Sequence, residues 1–230
     1  FSTDPNTKAP KGLLKELMDK VGQKLGLKIE WTAEIGWGEV PIAIQANKFD
    51  MFCVAIWPNS GIIRSLTSSK PFLYNPAYLW ARADDFRFDN NYARVNSPDI
   101  TVTGQEGDVT SETLNGHFPS AKKFHISPIE QSPQLFMNVV SKKADITLED
   151  IPFAADYITK NPGTLRRVEG SPVAIFQLVM PIAQGEYQLK NMIDTVLTDF
   201  INDGTIAALI KKYDAKDTYA PRPDVEINPK

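Results

Sequence analysis

Leu13, Leu14, Leu17, Met18, Val21 and Leu25 recur at three- and four-residue spacing, the pattern of a helix that buries one face. Gly26 follows the stripe and predicts its end, because glycine adopts the left-handed conformation that closes helices. A second stripe, Leu189, Met192, Ile193, Val196, Leu197, Phe200 and Ile201, predicts another amphipathic helix stopped by Gly204. Thr205 can cap a short final helix to Tyr213. Further helices are predicted from about Trp37 to Ala46, with Pro41 in the first turn, and at 151–160. Another is predicted at 133–142, where Ser132 can cap and Pro133 suits the first position. Between them lie candidate strands at 27–32, 49–56, 76–83, 100–103, 122–126, 145–148 and 173–182. The run 49–56 is too apolar to alternate, as for a strand covered on both faces. Residues 84–99 are polar without periodicity and read as loop, and the tail from Asp214 reads as an extended surface segment.

Strands alternating with helices predict an α/β protein with parallel sheets built from βαβ units. Two helix-to-strand turns, NKFDMFCVA and KKADITLED, each place a lysine two residues before the aspartate (Asp50, Asp145) that opens a strand. This points to two similar lobes. Ligands of open α/β sheets bind beyond the carboxyl ends of the strands, so facing lobes would leave a cleft there.

Composition narrows the classes. With 230 residues, 42% apolar and 23% charged, the chain can bury a core and is not of disordered composition. A net charge of −3 gives no electrostatic case for a nucleic-acid partner. Cys53 is the only cysteine, so no intramolecular disulfide forms, and its apolar setting FDMFCVAI predicts a small buried core residue. No apolar run approaches the ~20 residues that cross a bilayer. No leader is visible at Phe1. His117 and His125 have no third ligand in sequence, so no metal site is predicted. No G-x-S-x-G, Cys–His nucleophile or P-loop appears, and the expectation is a binding protein without cofactor, not an enzyme.

Several segments carry a family resemblance. GLLKELMDKVGQKLGLKIEW (12–31), WGEVPIAIQANKFDMF (37–52), IIRSLTSSKPFLYNPAYL (62–79), LEDIPFAADYI (148–158) and FQLVMPIAQGEYQLKNMIDTVLTDFINDGTIAALIKKY (176–213) follow in family order over nearly the whole chain. Together they resemble the family 3 extracellular solute-binding proteins, type II periplasmic binding proteins for amino acids and related small molecules. The resemblance implies a two-lobed α/β fold: lobe I from 1–80 and 182–230, lobe II from 81–181, hinge strands near 80–84 and 177–181, and a ligand cleft between the lobes. It also implies a periplasmic or otherwise extracytoplasmic monomer, secreted by a signal peptide outside the sequence read, with an ABC-type permease as partner.

The resemblance also implies site residues. Arg64 matches the arginine that grips a ligand α-carboxylate, a role suited to a planar, permanently charged fork. Asp150 matches the acid that holds the α-amino group, and it is equally placed to cap the helix from 151; adjacent Glu149 is the alternative acid. Gly107 and Thr110 resemble the loop that presents N–H groups and hydroxyls at a helix start. Asp108 departs from the family's Gly-Thr-Thr and disfavours an anion nearby. Ala55 and Trp57 stand near positions where the family usually offers hydroxyls, and Trp57 can form an aromatic wall. Three functions follow in order: solute receptor of an importer, extracellular sensor domain of a membrane receptor, or a dehydratase-like enzyme using Glu149 or Glu130.

Overall fold

The computed structural model describes residues 2–3, 10–32, 35, 39–127, 133–213 and 218–222. Trp37, Glu130 and Ser132 lie outside them. The chain divides into two compact units, one from Phe1–Tyr74 and Gln177–Pro223, the other from Asn75–Phe176 with Asp224–Lys230.

The first unit opens with β1 (Ser2–Thr3) antiparallel to β2 (Pro10–Lys11). Helix α1 (Leu13–Leu25) buries the predicted stripe from Leu13 to Val21. Gly26, at φ 67°, closes it, and the Leu27 N–H donates to the Gly22 carbonyl at 2.8 Å. The expected strand at 27–32 does not form. A strand needs a neighbour for its backbone, and among the described residues none pairs here; Lys28 and Glu30 instead face solvent and pair with each other at 2.6 Å. After α2 (Val40–Gln45), the run 49–56 is half-buried rather than doubly covered. It touches 179–182 only through isolated bridges, Met51 with Ile182 and Ile56 with Val179. Helix α3 (Ser60–Ser65), which hydrophobic spacing does not reveal, is nucleated by Asn59, whose Oδ1 accepts the Ile62 N–H at 2.9 Å. β3 (Thr67–Ser68) follows.

Strand β4 (Leu73–Arg82) leads from the first unit into the second. The second unit then runs β5 (Thr101–Thr103), α4 (Val109–His117), β6 (Lys122–Lys123), α5 (Pro133–Val140), β7 (Ile146–Asp150), α6 (Ile151–Lys160) and β8 (Leu165–Arg167). The sheet order is β6-β5-β7-β4-β8. β5 is parallel to β6 and β7, whereas β4 is antiparallel to β7 and β8, so the sheet is mixed where a parallel one was expected. The connections explain this. β5 through β8 are joined by helical crossovers, which return a chain in the same direction, but β4 reaches β5 through 83–100 without an α-helix. That segment holds a single 3-10 turn at Tyr92–Val95 and is pinned by ion pairs. Asp85, 7% exposed, receives Arg82 at 3.0 Å and Arg87 at 2.7 Å, and Arg166 grips both oxygens of Asp89 at 2.8 Å. One side of the sheet packs Ala77, Leu79, Val102, Ile146 and Leu148 with Leu114; Trp80 packs with Phe136, Val139 and Ala154.

The expected strand 173–182 is divided into β9 (Ala174–Leu178), which pairs with β4, and β10 (Pro181–Ile182), antiparallel to β3. Ser69 makes the division: its Oγ accepts the Met180 N–H at 3.0 Å and its N–H donates to the Met180 carbonyl at 2.9 Å. Helices α7 (Tyr187–Asn202) and α8 (Thr205–Tyr213) pack on α1 to form the core of the first unit. The segment 218–222 is tied by Ala220, which exchanges backbone bonds with Tyr74 at 2.8 and 2.9 Å.

Phe136 is fully buried, with its ring centroid 5.3 Å from Phe153 and 4.9 Å from Tyr157. Phe136→Ala is expected to destabilise the second unit by about 3–5 kcal/mol, read as a lower urea midpoint; a shift below about 1 kcal/mol contradicts this packing.

Candidate functional site

In the first unit, Ala55 and Trp57 are half-buried and pack against the core of α1 and α7. Cys53 is half-buried beside them, short of the full burial expected, and its desolvation, with Asp50 adding to it, pushes the thiol up to about 12. The thiolate, the nucleophilic form, is thereby disfavoured at neutral pH. Arg64 sits in the last turn of α3, a short helix held by the Asn59 cap. Its side chain is exposed and makes no hydrogen bond or ion pair among the described residues. A guanidinium in this state can take a carboxylate without first breaking a contact.

In the second unit, Gly107 has φ 75°, a conformation glycine adopts without strain, and turns the chain into α4. Asp108 caps that helix. Its Oδ1 accepts the Thr110 N–H at 2.8 Å and the Thr110 hydroxyl at 2.7 Å. Both donors that the loop was expected to offer are therefore occupied by the chain's own carboxylate, and Thr110 is buried. The helix start is already neutralised.

Asp150 ends β7 and caps α6. Its Oδ1 accepts the Phe153 N–H at 2.9 Å, and its Oδ2 accepts the Asn75 amide at 2.9 Å. Desolvation raises its pKa, and the Phe153 and Asn75 hydrogen bonds oppose the rise. Neither donor is charged, and among the described residues no cation pairs with it. Next to it Glu149 is 8% exposed, and its backbone carbonyl accepts the Trp80 Nε1–H at 2.9 Å. Burial first, then the nearby Asp150 and Asp108 carboxylates, hold the Glu149 carboxyl well above its ordinary 4.5. Asp108 and Asp150 thus disfavour ionisation of Glu149.

Sequence reasoning missed Asn75, which is fully buried and orients Asp150 from β4. Its signal was present: a lone amide inside an apolar strand must find a partner. Among the described residues, no three His, Cys, Asp or Glu side chains gather as a metal site. No helix among them is long and apolar enough to cross a membrane.

Comparison with known proteins adds the following. Residues 1–216 match the family described as bacterial extracellular solute-binding proteins, family 3. No curated protein matches the sequence. Among solved structures, the chain is similar to the ancestral amino acid-binding protein AncCDT-1, a precursor of cyclohexadienyl dehydratase. The identity is 24% over 92% of this chain and 88% of that one, at a TM-score of 0.69. It is also similar to a protein named as a binding component of an ABC transporter from Wolinella succinogenes, in complex with lysine, at 16% identity, 94% and 90% coverage and a TM-score of 0.72. A third is the VFT2 domain of Bordetella pertussis BvgS, as a double mutant, at 19% identity, 88% and 84% coverage and a TM-score of 0.70. At these identities the likeness is one of fold.

The raised pKa of Glu149 has a sign that can be measured. The native state keeps a proton that the unfolded chain loses near 4.5, so stability falls as pH rises from there through the native value. Glu149→Gln, which carries no titratable proton, is expected to remove that part of the fall and to be the more stable form at neutral pH. Parallel wild-type and variant profiles in urea unfolding from pH 4 to 8 (roughly the span of buried carboxyl shifts) contradict it.

Proposed function

This chain belongs to the bacterial extracellular solute-binding proteins of family 3, and we propose that it binds an amino acid or a similar small zwitterion as the receptor of an ABC-type importer. Arg64 of the first unit takes the carboxylate through two parallel charge-assisted bonds, and Asp150 of the second takes the ammonium. The observation that carries this reading is the condition of Asp150. Both of its oxygens are oriented by neutral donors, yet its charge is uncompensated in a half-buried place, where a carboxylate is costly without a counter-charge. A ligand ammonium supplies that charge. Arg64 is exposed and has no ionic partner among the described residues, so its guanidinium is available to a carboxylate.

Asp108 supports the same polarity. By occupying the Thr110 donors it withdraws the start of α4 from any anion, so the carboxylate falls to Arg64. In the first unit Trp57 offers the solute an aromatic face next to the small side chain of Ala55, and in the second Gly107 offers an open backbone. The Wolinella protein with lysine bound lends support through shared fold. The partner in this reading is a membrane permease, and the chain works outside the cytoplasm as a monomer.

A second reading has one observation in its favour. Burial and its acidic neighbours raise the Glu149 pKa, the direction a general acid needs, and the fold is shared with a precursor of cyclohexadienyl dehydratase. Turnover of prephenate or arogenate that is lost in Glu149→Gln supports it; tight binding without product rejects it.

For the receptor reading, a thermal-shift screen covers amino acids, their betaines, small carboxylates and polyamines. A true ligand at 100 times its Kd stabilises by about 2.7 kcal/mol. Arg64→Ala is then expected to weaken that ligand by about ten- to a hundredfold in calorimetry, the loss of a charged hydrogen bond, with the urea midpoint unchanged. Unchanged affinity rejects the assignment.

A further inference from the structure

The loop from β5 to α4 carries Gly107 and Asp108 and leads to Thr110, and its path is fixed from several sides. Gly104 is buried, and a Cβ built on it would lie 3.0 Å from the Ser111 Cα, so the loop passes against the helix with no space to shift. Ser111 Oγ donates to the Asp108 carbonyl at 2.8 Å, and the Asp108 N–H donates to the Gln105 carbonyl at 3.1 Å. Along the other side runs the segment 122–126, parallel to β5. The Phe124 N–H donates to the Val102 carbonyl at 2.9 Å, the Ile126 N–H to the Gly104 carbonyl at 2.9 Å, and the Glu106 N–H to the Ile126 carbonyl at 3.0 Å.

A continuing parallel ladder would send the Gly104 N–H to the Phe124 carbonyl. It goes instead to the His125 side chain, Nδ1 accepting at 3.0 Å. An Nδ1 that accepts carries no proton, so the neutral ring has its proton on Nε2, which lies 3.1 Å from Asn115 Oδ1 of α4 and donates to it. One imidazole therefore holds the buried end of the loop and reaches the helix that the loop opens.

We infer that His125 is the positioning residue of the solute-binding loop from Gly104 to Thr110, that it holds the loop only as the neutral ring, and that solute affinity falls when the ring is protonated. The inference rests on the receptor reading for its consequence, and on geometry alone for the clamp. Protonation places an N–H at Nδ1, donor against donor with the Gly104 N–H, and a buried N–H with no acceptor is unfavourable. Three influences set the ring's own titration: burial lowers its pKa from 6.5, Lys123 on the same segment lowers it further, and Glu106 of the loop raises it. Helix α4 contributes the uncharged Asn115. The contact is thus present above the ordinary histidine range and is lost as pH falls through the lowered native value.

Hydrogen exchange at the Gly104 amide, followed by NMR on the whole chain, tests the clamp. Wild-type protection is expected to fall on acidification. His125→Asn, whose amide oxygen replaces the Nδ1 acceptor and does not titrate, is expected to keep it; His125→Ala is expected to lack it at every pH. With L-lysine and L-arginine as calorimetric probes, wild-type affinity is expected to weaken roughly three- to tenfold on acidification relative to His125→Asn, the range of one hydrogen bond. Superimposable profiles for wild type and His125→Asn overturn the proposal. If neither probe binds at neutral pH, a ligand screen has to judge the receptor reading, and the exchange data alone decide the clamp: protection that follows the ring's protonation upholds it, and protection indifferent to His125 overturns it.

Discussion

A carboxyl left without donors at the end of a strand would have no fixed place, and in the second unit two neutral donors hold Asp150. Its two oxygens are used differently. One terminates α6 by taking the Phe153 N–H, which the helix leaves unsatisfied; the other takes the amide of Asn75 from a strand far away in sequence. The residue thereby joins β4, β7 and α6 at one atom group. The cap does not exclude the ligand role proposed for this aspartate: it directs the carboxylate, and among the described residues no cation pairs with it.

Much of the fold was legible because it rests on local periodicity. The stripes of α1 and α7, the 151–160 helix and the strands at 101–103 and 146–150 follow directly from side-chain spacing and capping chemistry. The family and the α/β architecture were legible from the order of those segments. What failed depended on partners distant in sequence. Strand 27–32 has strand-like composition but no described neighbour, and the direction of β4 is set by the connection at 83–100, which has no periodicity to read. Of the candidate residues, Asp108 was recognised as a departure from the family pattern, but its capture of both Thr110 donors is a matter of rotamer and invisible in sequence. Asn75 escaped because its role exists only once β4 lies beside β7.

The acids of the second unit divide their work by environment. Asp108 is half-exposed and hydrogen-bonded within its own turn; Asp150 is half-buried between neutral donors; Glu149 is buried, which with its acidic neighbours raises its pKa. Removing water from a carboxyl flanked by two others makes its ionisation less favourable. This limits the repulsion that three ionised groups would impose on the folded unit.

The Ser69 clamp on Met180 also bears on solubility. VAIFQLVMPI is a ten-residue apolar segment with one polar side chain, Gln177, of the kind that templates intermolecular strand pairing when it lies open along an edge. Ser69 engages both backbone groups of Met180, β9 lies along β4, and Pro181 has no N–H to offer. These bonds occupy backbone groups that the segment would otherwise present to a second molecule.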